Sequence, residues 1–158
     1  MLQLVPQSWF AWNFDVLEND RPIAEIKTSS LRESGTISID GPSYSAYREG
    51  LLSGDFILEQ NGQPLVRAQK PSAFLNSFNV EHSGRSFTLQ KESLIGRSFV
   101  LMEGNCQTGS IQAKGFLTRK ADVDLPQDMP MPVRVFVLWL AILLWRREAN
   151  AGAAAAST

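Results

Sequence analysis

The side chains that are capable of acid–base or nucleophilic chemistry are few, and they lie apart in the sequence. The single histidine, His82, and the single cysteine, Cys106, each flank a predicted turn, and no nucleophile motif such as GxSxG accompanies them. Asp122 and Asp124 share one face of a predicted strand, but two carboxylates are too few ligands for a specific divalent-cation site. The sequence therefore predicts a protein that is not an enzyme and has no catalytic residues, no metal and no cofactor.

Basic side chains are the other residues that could carry a function, and they are frequent in the middle and later part of the chain. The candidate lipid-binding residues are Arg67, Lys70, Arg85, Lys91 and Arg97, and they are followed by Lys114, Arg119 and Lys120. If several of them converge on one face, each contributes about 1 kcal/mol to attraction by an anionic membrane surface. The alternative is a mixed-charge exterior that keeps the protein soluble.

The composition excludes several classes of protein. The chain has 158 residues, of which 44% are hydrophobic and 20% charged, so it suits one domain with a buried core. Fifteen basic and sixteen acidic residues give a net charge of -1, which argues against a nucleic-acid-binding protein because phosphate contacts require an excess of positive charge. The lone cysteine, and an N-terminus without a basic region or cleavage motif, predict a cytoplasmic protein.

From about Trp9 to Leu125 the chain consists of short apolar segments separated by Gly, Asn, Asp, Pro and Ser, which is the pattern of consecutive antiparallel strands. Four hairpins, FDVLENDRPIAEIK, FILEQNGQPLVRAQ, FNVEHSGRSFTLQK and FVLMEGNCQTGSIQAK, turn at Asn19–Asp20, Asn61–Gly62, Ser83–Gly84 and Gly104–Asn105. The most specific signal is Asn61–Gly62, because a type I′ turn needs positive φ at both central residues. Further segments at Thr36–Asp40, Tyr44–Glu49 and Phe116–Leu125 bring the prediction to eleven or twelve strands.

Aromatic residues crowd the predicted first strand, where Trp9, Phe10, Trp12 and Phe14 lie close together. Core packing accounts for alternate members of a strand, because successive side chains point to opposite faces. Any of the four that point outward would form an apolar patch suited to a membrane or a protein partner.

The last predicted element is an apolar helix over about residues 132–147. The segment Val135–Trp145 contains no polar residue, and Pro132 suits the first turn of a helix. Arg146 and Arg147 complement the negative pole at the helix end. The eleven residues of the apolar segment rise about 17 Å, whereas the hydrocarbon core of a bilayer is about 30 Å thick. We therefore expect a helix that is buried in protein.

A helix without a polar face needs apolar surroundings on every side. A closed barrel of eleven or twelve strands is wide enough to admit one, whereas an eight-stranded barrel is filled by its own side chains. We therefore predict a mainly β protein, a closed antiparallel barrel of about twelve strands around a buried apolar C-terminal helix, spanning residues 1–149. Residues 150–158 form an Ala-rich tail predicted to be disordered, with extension of the helix by propensity as the alternative. The alternative environment for Val133–Trp145 is lipid, as in a tail anchor.

The serial hairpins, particularly FILEQNGQPLVRAQ and FNVEHSGRSFTLQK, and the closing helix VFVLWLAILLW together form a pattern. It resembles the tubby C-terminal-like superfamily, which includes the LURP-one-related proteins and the phospholipid scramblases. The resemblance covers about Trp9 to Arg147 and implies a barrel of twelve strands around a buried C-terminal helix. Lipid binding in tubby-like proteins uses a closely spaced basic pair, for which Arg67 and Lys70 are the nearest candidates here.

The resemblance implies a non-enzymatic binding module that recognises either anionic phospholipid headgroups at a membrane surface or a protein partner. Together with the charge balance and the short apolar segment, it predicts a cytoplasmic protein that is peripheral to a membrane, binds no nucleic acid and does not insert as an integral membrane protein. The alternative function is a tail-anchored or scramblase-like membrane protein that uses the C-terminal apolar helix.

Overall fold

The computed structural model describes residues 1–52, 54–72, 74–115 and 117–157. In chain order the strands are β1 (Leu2–Pro6), β2 (Phe14–Glu18), β3 (Arg21–Thr28), β4 (Ser34–Ile39), β5 (Ser43–Arg48), β6 (Asp55–Gln60), β7 (Gln63–Gln69), β8 (Ser77–His82), β9 (Arg85–Lys91), β10 (Phe99–Glu103), β11 (Cys106–Ala113) and β12 (Ala121–Asp124). The helix α1 (Met131–Ala156) follows them. Phe116, where the last predicted strand segment begins, lies outside the described residues.

The strands form a closed barrel in which each strand runs antiparallel to both neighbours. They follow one another around the barrel in sequence order, and β12 pairs with β1 to close it. At this closure Leu2 lies opposite Val123 and Leu4 lies opposite Ala121, and all four side chains are buried. The predicted mainly β class and the closed barrel of about twelve strands are confirmed.

The first strand differs from the sequence-based prediction. It is the short segment Leu2–Pro6, whereas Trp9, Phe10 and Trp12 lie in the connection between β1 and β2. Of the crowded aromatic residues, Phe14 begins β2 and is fully buried. The Leu2–Pro6 segment becomes a strand because barrel closure gives it a partner in β12, and no local pattern around the N-terminus indicates that pairing.

The four predicted hairpin turns lie where the sequence places them. The residue pairs that flank them are Glu18 and Arg21, Gln60 and Gln63, His82 and Arg85, and Glu103 and Cys106. Asn61 and Gly62 have φ angles of 51° and 77°, so both central residues have the positive φ that a type I′ turn requires.

The helix α1 lies inside the barrel and fills it. Every side chain from Val135 to Trp145 is at most 2% exposed. The helix tryptophans contact Phe14 on β2, Phe56 on β6 and Phe99 on β10, strands that are evenly spaced around the barrel. The apolar segment of α1 is therefore surrounded by protein, whereas in a tail anchor it would be surrounded by lipid. Within the described residues, no helix combines the length and apolarity needed to cross a bilayer.

The helix is longer than the predicted range 132–147. It begins at Met131 and continues to Ala156, through the tail that we expected to be disordered. Alanine has the highest helix propensity and no proline interrupts the tail, so the helix continues after the apolar segment ends. Residues 149–157 are exposed, so about two turns of α1 project from the barrel.

Because the strands alternate in direction, successive connections lie at opposite ends of the barrel, and the two ends differ in the length of their connections. The connections that follow odd-numbered strands lie at one end, which we call the loop end; they are the six loops 7–13, 29–33, 49–54, 70–76, 92–98 and 114–120. The other end, which we call the turn end, has the short connections 19–20, 40–42, 61–62, 83–84 and 104–105 and the segment 125–130. The helix enters at the turn end and leaves at the loop end.

The contact between α1 and the barrel wall leads to a first prediction. A Cβ atom at Gly35 on β4 would lie 2.6 Å from the carbonyl oxygen of Lys27 and 2.9 Å from Nε1 of Trp139. We expect Gly35→Ala to lower the free energy of unfolding by about 1–3 kcal/mol through overpacking, measured by urea denaturation. Gly152→Ala, in the projecting part of α1 with open space around it, is the control and is expected to be neutral or stabilising by up to about 1 kcal/mol. Wild-type stability of Gly35→Ala would contradict this packing of the helix against β4.

Candidate functional site

The five basic residues singled out in the sequence do not come together on one surface. Arg67 lies on the outer face of β7 and forms an ion pair with Glu49 at 2.9 Å. Arg85 lies at the turn end, where it pairs with Glu103 at 2.8 Å and with Asp128 at 2.7 Å. Hydrogen bonds to these two carboxylates raise the pKa of Arg85 above its ordinary value. Both guanidinium groups thus have acidic partners within the protein.

The other three basic residues lie at or beside the loop end. Lys91 ends β9 and forms an ion pair at 2.6 Å with Glu148 of α1. Lys70 follows β7 directly, and desolvation by burial lowers its pKa. The guanidinium of Arg97 lies 5.0 Å from the centre of the Trp145 ring, and burial lowers its pKa as well. Two of the three therefore contact the end of the helix.

The side chains with acid–base or nucleophilic potential remain apart in the structure. His82 lies at the end of β8, where its Nε2 is 3.2 Å from the Ser83 hydroxyl, and Cys106 is exposed at the start of β11. Asp122 is paired with Lys114 at 2.9 Å. In the described part of the chain, no three His, Cys, Asp or Glu side chains are grouped so that they could hold a metal ion.

The loop end carries most of the large apolar side chains that the protein exposes. Among the described residues, ten of the twelve lie there: Trp9, Phe10, Leu31, Leu51, Leu52, Phe74, Leu75, Leu94, Ile95 and Leu117. Each of the six loops contributes at least one, so exposed apolar side chains surround the end of the barrel. The other two are Met1 and Leu65. A concentration of exposed apolar side chains marks a surface that contacts a partner or a membrane.

The two ends of the barrel also differ in charge. The six loops and the helix segment 146–157 contain eight basic and four acidic residues, whereas the connections of the turn end contain three acidic residues and no basic residue. The basic residues Arg21, Arg85 and Arg134 lie next to those connections, on β3, β9 and the first turn of α1. The basic residues of the loop end are Arg32, Lys70, Arg97, Lys114, Arg119, Lys120, Arg146 and Arg147. The net charge of -1 for the whole chain conceals this separation.

Ion pairs with Arg147 and Lys91 neutralise the two partly buried acids of the loop end, Glu33 and Glu148, whereas some basic residues of that end have no acidic partner among the described residues. Glu33 pairs with Arg147 at 2.6 Å and with Arg48 at 3.1 Å. Arg32 and Lys120 are exposed, and neither forms an ion pair with another described residue. The positive charge of these two side chains therefore faces solvent.

Arg119 holds two neighbouring loops of the loop end together. Its guanidinium donates hydrogen bonds from the 114–120 loop to the carbonyl oxygens of Ser8 and Ala11, the latter at 2.8 Å. The same group lies 4.7 Å from the centre of the Trp12 ring. Desolvation by burial lowers the pKa of Arg119. The loop that carries Trp9 is thereby fixed to the loop that carries Lys120.

The end of α1 positions the other loops. Trp145 donates its indole N–H to the carbonyl oxygen of Arg97 at 2.8 Å, and Arg97 donates to the carbonyl oxygen of Thr118 at 2.9 Å. Arg146 donates to the carbonyl oxygen of Ser29, the first residue of the 29–33 loop. The buried helix therefore also fixes three of the loops that carry the exposed apolar residues.

Part of this surface was accessible to sequence reasoning. The sequence predicts an apolar patch for any outward-facing member of the aromatic cluster Trp9, Phe10, Trp12 and Phe14, and Trp9 and Phe10 are 80% and 98% exposed. No prediction covers the adjacent pairs Leu51–Leu52, Phe74–Leu75 and Leu94–Ile95. The signal that could have found them is a pair of adjacent large apolar residues between two strands. Such a pair does not follow the alternation of apolar and polar residues by which a strand buries one face.

Comparison of the chain with models of known protein families, with curated proteins and with solved structures finds no match.

The role of Arg119 leads to a second prediction. Arg119→Gln removes the hydrogen bonds to Ser8 and Ala11, so we expect faster chymotrypsin cleavage after Trp9 and Phe10. The free energy of unfolding is expected to fall by about 1–2 kcal/mol. Arg32→Gln removes the same charge from an exposed position and should leave the cleavage rate at Trp9 and Phe10 unchanged. Equal cleavage rates for the two variants would show that Arg119 does not hold the 7–13 loop.

Proposed function

We propose that the protein is a non-enzymatic module that binds anionic phospholipid membranes with its loop end. The observation that carries the proposal is the coincidence, on one end of the barrel, of ten exposed large apolar side chains and an excess of basic residues. Apolar side chains enter the boundary between headgroups and acyl chains, while basic residues attract the anionic headgroups. The same combination is absent from the connections of the turn end.

The exposure of individual loop residues supports membrane contact. Phe10 and Leu52 are each 98% exposed, and Leu94 is 100% exposed, so these side chains have almost no protein to pack against. Moving apolar surface from water into an apolar phase is favourable by about 25 cal/mol for each Å². Trp9 has the type of side chain that is enriched at membrane–water interfaces. Six loops around one barrel end suit a planar partner better than a narrow peptide.

The separation of charge supports a defined orientation on the membrane. An anionic surface attracts the basic loop end and repels the acidic turn end, so the protein approaches with its loops first. Each basic residue near such a surface contributes about 1 kcal/mol, and salt weakens the attraction. The projecting part of α1 leaves the barrel at the same end and has no charged residue after Glu148, so its composition does not oppose contact with lipid.

Substitution of one exposed leucine gives a third prediction. Leu94→Ser removes an apolar side chain from the loop end, so we expect about tenfold weaker binding to vesicles of phosphatidylcholine mixed with phosphatidylserine. Leu65→Ser changes a leucine that is 43% exposed on β7, away from the loop end, and is expected to bind within about twofold of wild type. Co-sedimentation with vesicles measures both. Equal losses for the two variants, or no binding by wild type, would contradict the proposal.

A charge reversal at each end of the barrel gives a fourth prediction. Arg32→Glu at the loop end is expected to weaken binding to the same vesicles by about 2 kcal/mol, which is about thirtyfold in affinity. Arg21→Glu makes the same change of charge at an exposed position beside the turn at 19–20 and should have little effect. Vesicles of phosphatidylcholine alone should bind all three proteins weakly. A larger loss for Arg21→Glu would show that the protein approaches the membrane with its other end.

A further inference from the structure

One cleft in the loop end combines apolar and basic groups in the arrangement that a single lipid molecule would need. It has a volume of about 310 Å³ and lies between the 7–13 loop and the 114–120 loop. Pro6, Trp9 and Leu117 contribute apolar surface, and Arg119 and Lys120 contribute positive charge. Trp9 and Leu117 are 80% and 79% exposed, so they are open to a ligand that enters from the membrane side.

The two cations in this cleft have different roles. Arg119 is committed to the carbonyl oxygens of Ser8 and Ala11, so it contributes a fixed positive charge and holds the two walls together. Lys120 is exposed and forms neither an ion pair nor a side-chain hydrogen bond with any described residue, so its ammonium group retains three donors for a ligand. The described lining contains no acidic residue that would compete with an anion.

A second cleft at the loop end also has apolar and basic groups, but it contains an acidic side chain as well. It has a volume of about 700 Å³ and is lined by Leu31, Arg32, Glu33, Arg48 and other residues of the 29–33 and 49–54 loops and adjoining strands. Glu33 brings negative charge into it and already pairs with Arg48. An anionic ligand is therefore better accommodated beside Lys120 than beside Arg32.

The walls of the first cleft are also fixed before any ligand binds. Besides the hydrogen bonds of Arg119, Arg97 donates to the carbonyl oxygen of Thr118, and Trp145 of the buried helix donates to the carbonyl oxygen of Arg97. These contacts connect the 114–120 loop to the core of the barrel. A preformed site loses less conformational entropy on binding than a flexible loop does.

We infer that the cleft between residues 7–9 and 117–120 binds one anionic phospholipid, with the phosphate at Lys120 and the glycerol and first acyl carbons against Trp9 and Leu117. This inference rests on the proposed membrane-binding function. It adds a specific lipid site to a surface that otherwise attracts membranes through its total charge and exposed apolar area. Binding of lipid should therefore saturate at one molecule for each protein.

The test is a titration of the full chain with dihexanoylphosphatidylglycerol kept monomeric, below its critical micelle concentration, and followed by tryptophan fluorescence. We expect saturable one-to-one binding to wild type. Lys120→Gln removes the charged partner of the phosphate and is expected to bind about tenfold or more weakly. Arg21→Gln removes the same charge from the turn end, away from the cleft, and is expected to bind within about twofold of wild type. Both residues are exposed, so both variants should fold, which circular dichroism checks.

Two further measurements separate the possible outcomes. Inorganic phosphate should bind at least about tenfold more weakly than the lipid, because it makes no contact with Trp9 and Leu117; equal affinities would overturn a lipid site. Equal affinities of Lys120→Gln and Arg21→Gln for the monomeric lipid would overturn it as well. If the two variants have equal affinities for the monomeric lipid but still bind anionic vesicles, the inferred lipid site is wrong and the proposed membrane binding stands. If monomeric lipid saturates the cleft but wild type does not bind vesicles, the site stands and the proposed membrane binding fails.

Discussion

Outside a lipid bilayer, an α-helix that is apolar on every side is stable only where apolar side chains enclose it completely. The segment Val135–Trp145 imposes this requirement, and a barrel of twelve strands meets it with inward side chains from β2, β6 and β10 at evenly spaced positions. An eight-stranded barrel has no room for a helix, because its own side chains fill it. The large size of the barrel, its closure between β1 and β12 and its apolar interior all serve this one burial.

The same helix makes the two ends of the barrel unequal. It enters through the Pro-containing segment 125–130 at the turn end, and at the loop end it emerges with Trp145 and Arg146 bonded to loop carbonyl groups. The loops there are held by backbone and guanidinium hydrogen bonds, so their large apolar side chains are not required for packing and remain exposed. The proposed membrane contact is thus made by loops that the core of the protein positions.

Much of the fold is predictable from local sequence, whereas the proposed site is predictable only in part. The turns, among them Asn61–Gly62, and the apolar helix have strong local signals, and the structure confirms both. Strand β1 is missed, because it depends on pairing with a distant strand. The extension of α1 to Ala156 is predicted only as the alternative to a disordered tail, because it depends on helix propensity beyond the apolar segment. The five candidate basic residues lie close together in the sequence, which suggests one shared surface. However, Arg85 begins β9 and Lys91 ends it, so these two residues lie at opposite ends of the barrel. Only the three-dimensional alternation of strands reveals which loops share an end.

The most direct measurement of the central claim is amide hydrogen exchange of the full chain, followed by mass spectrometry, with and without vesicles that contain phosphatidylserine. We expect the amides of α1 from Val135 to Trp145 to exchange slowly in both conditions. Vesicles should slow exchange in the loops at 7–13, 49–54, 92–98 and 114–120 and leave the turns at 40–42 and 83–84 unchanged. Slower exchange at the turns or across the strand faces, without a change at the loops, would contradict the account, and so would faster exchange within Val135–Trp145 on the membrane.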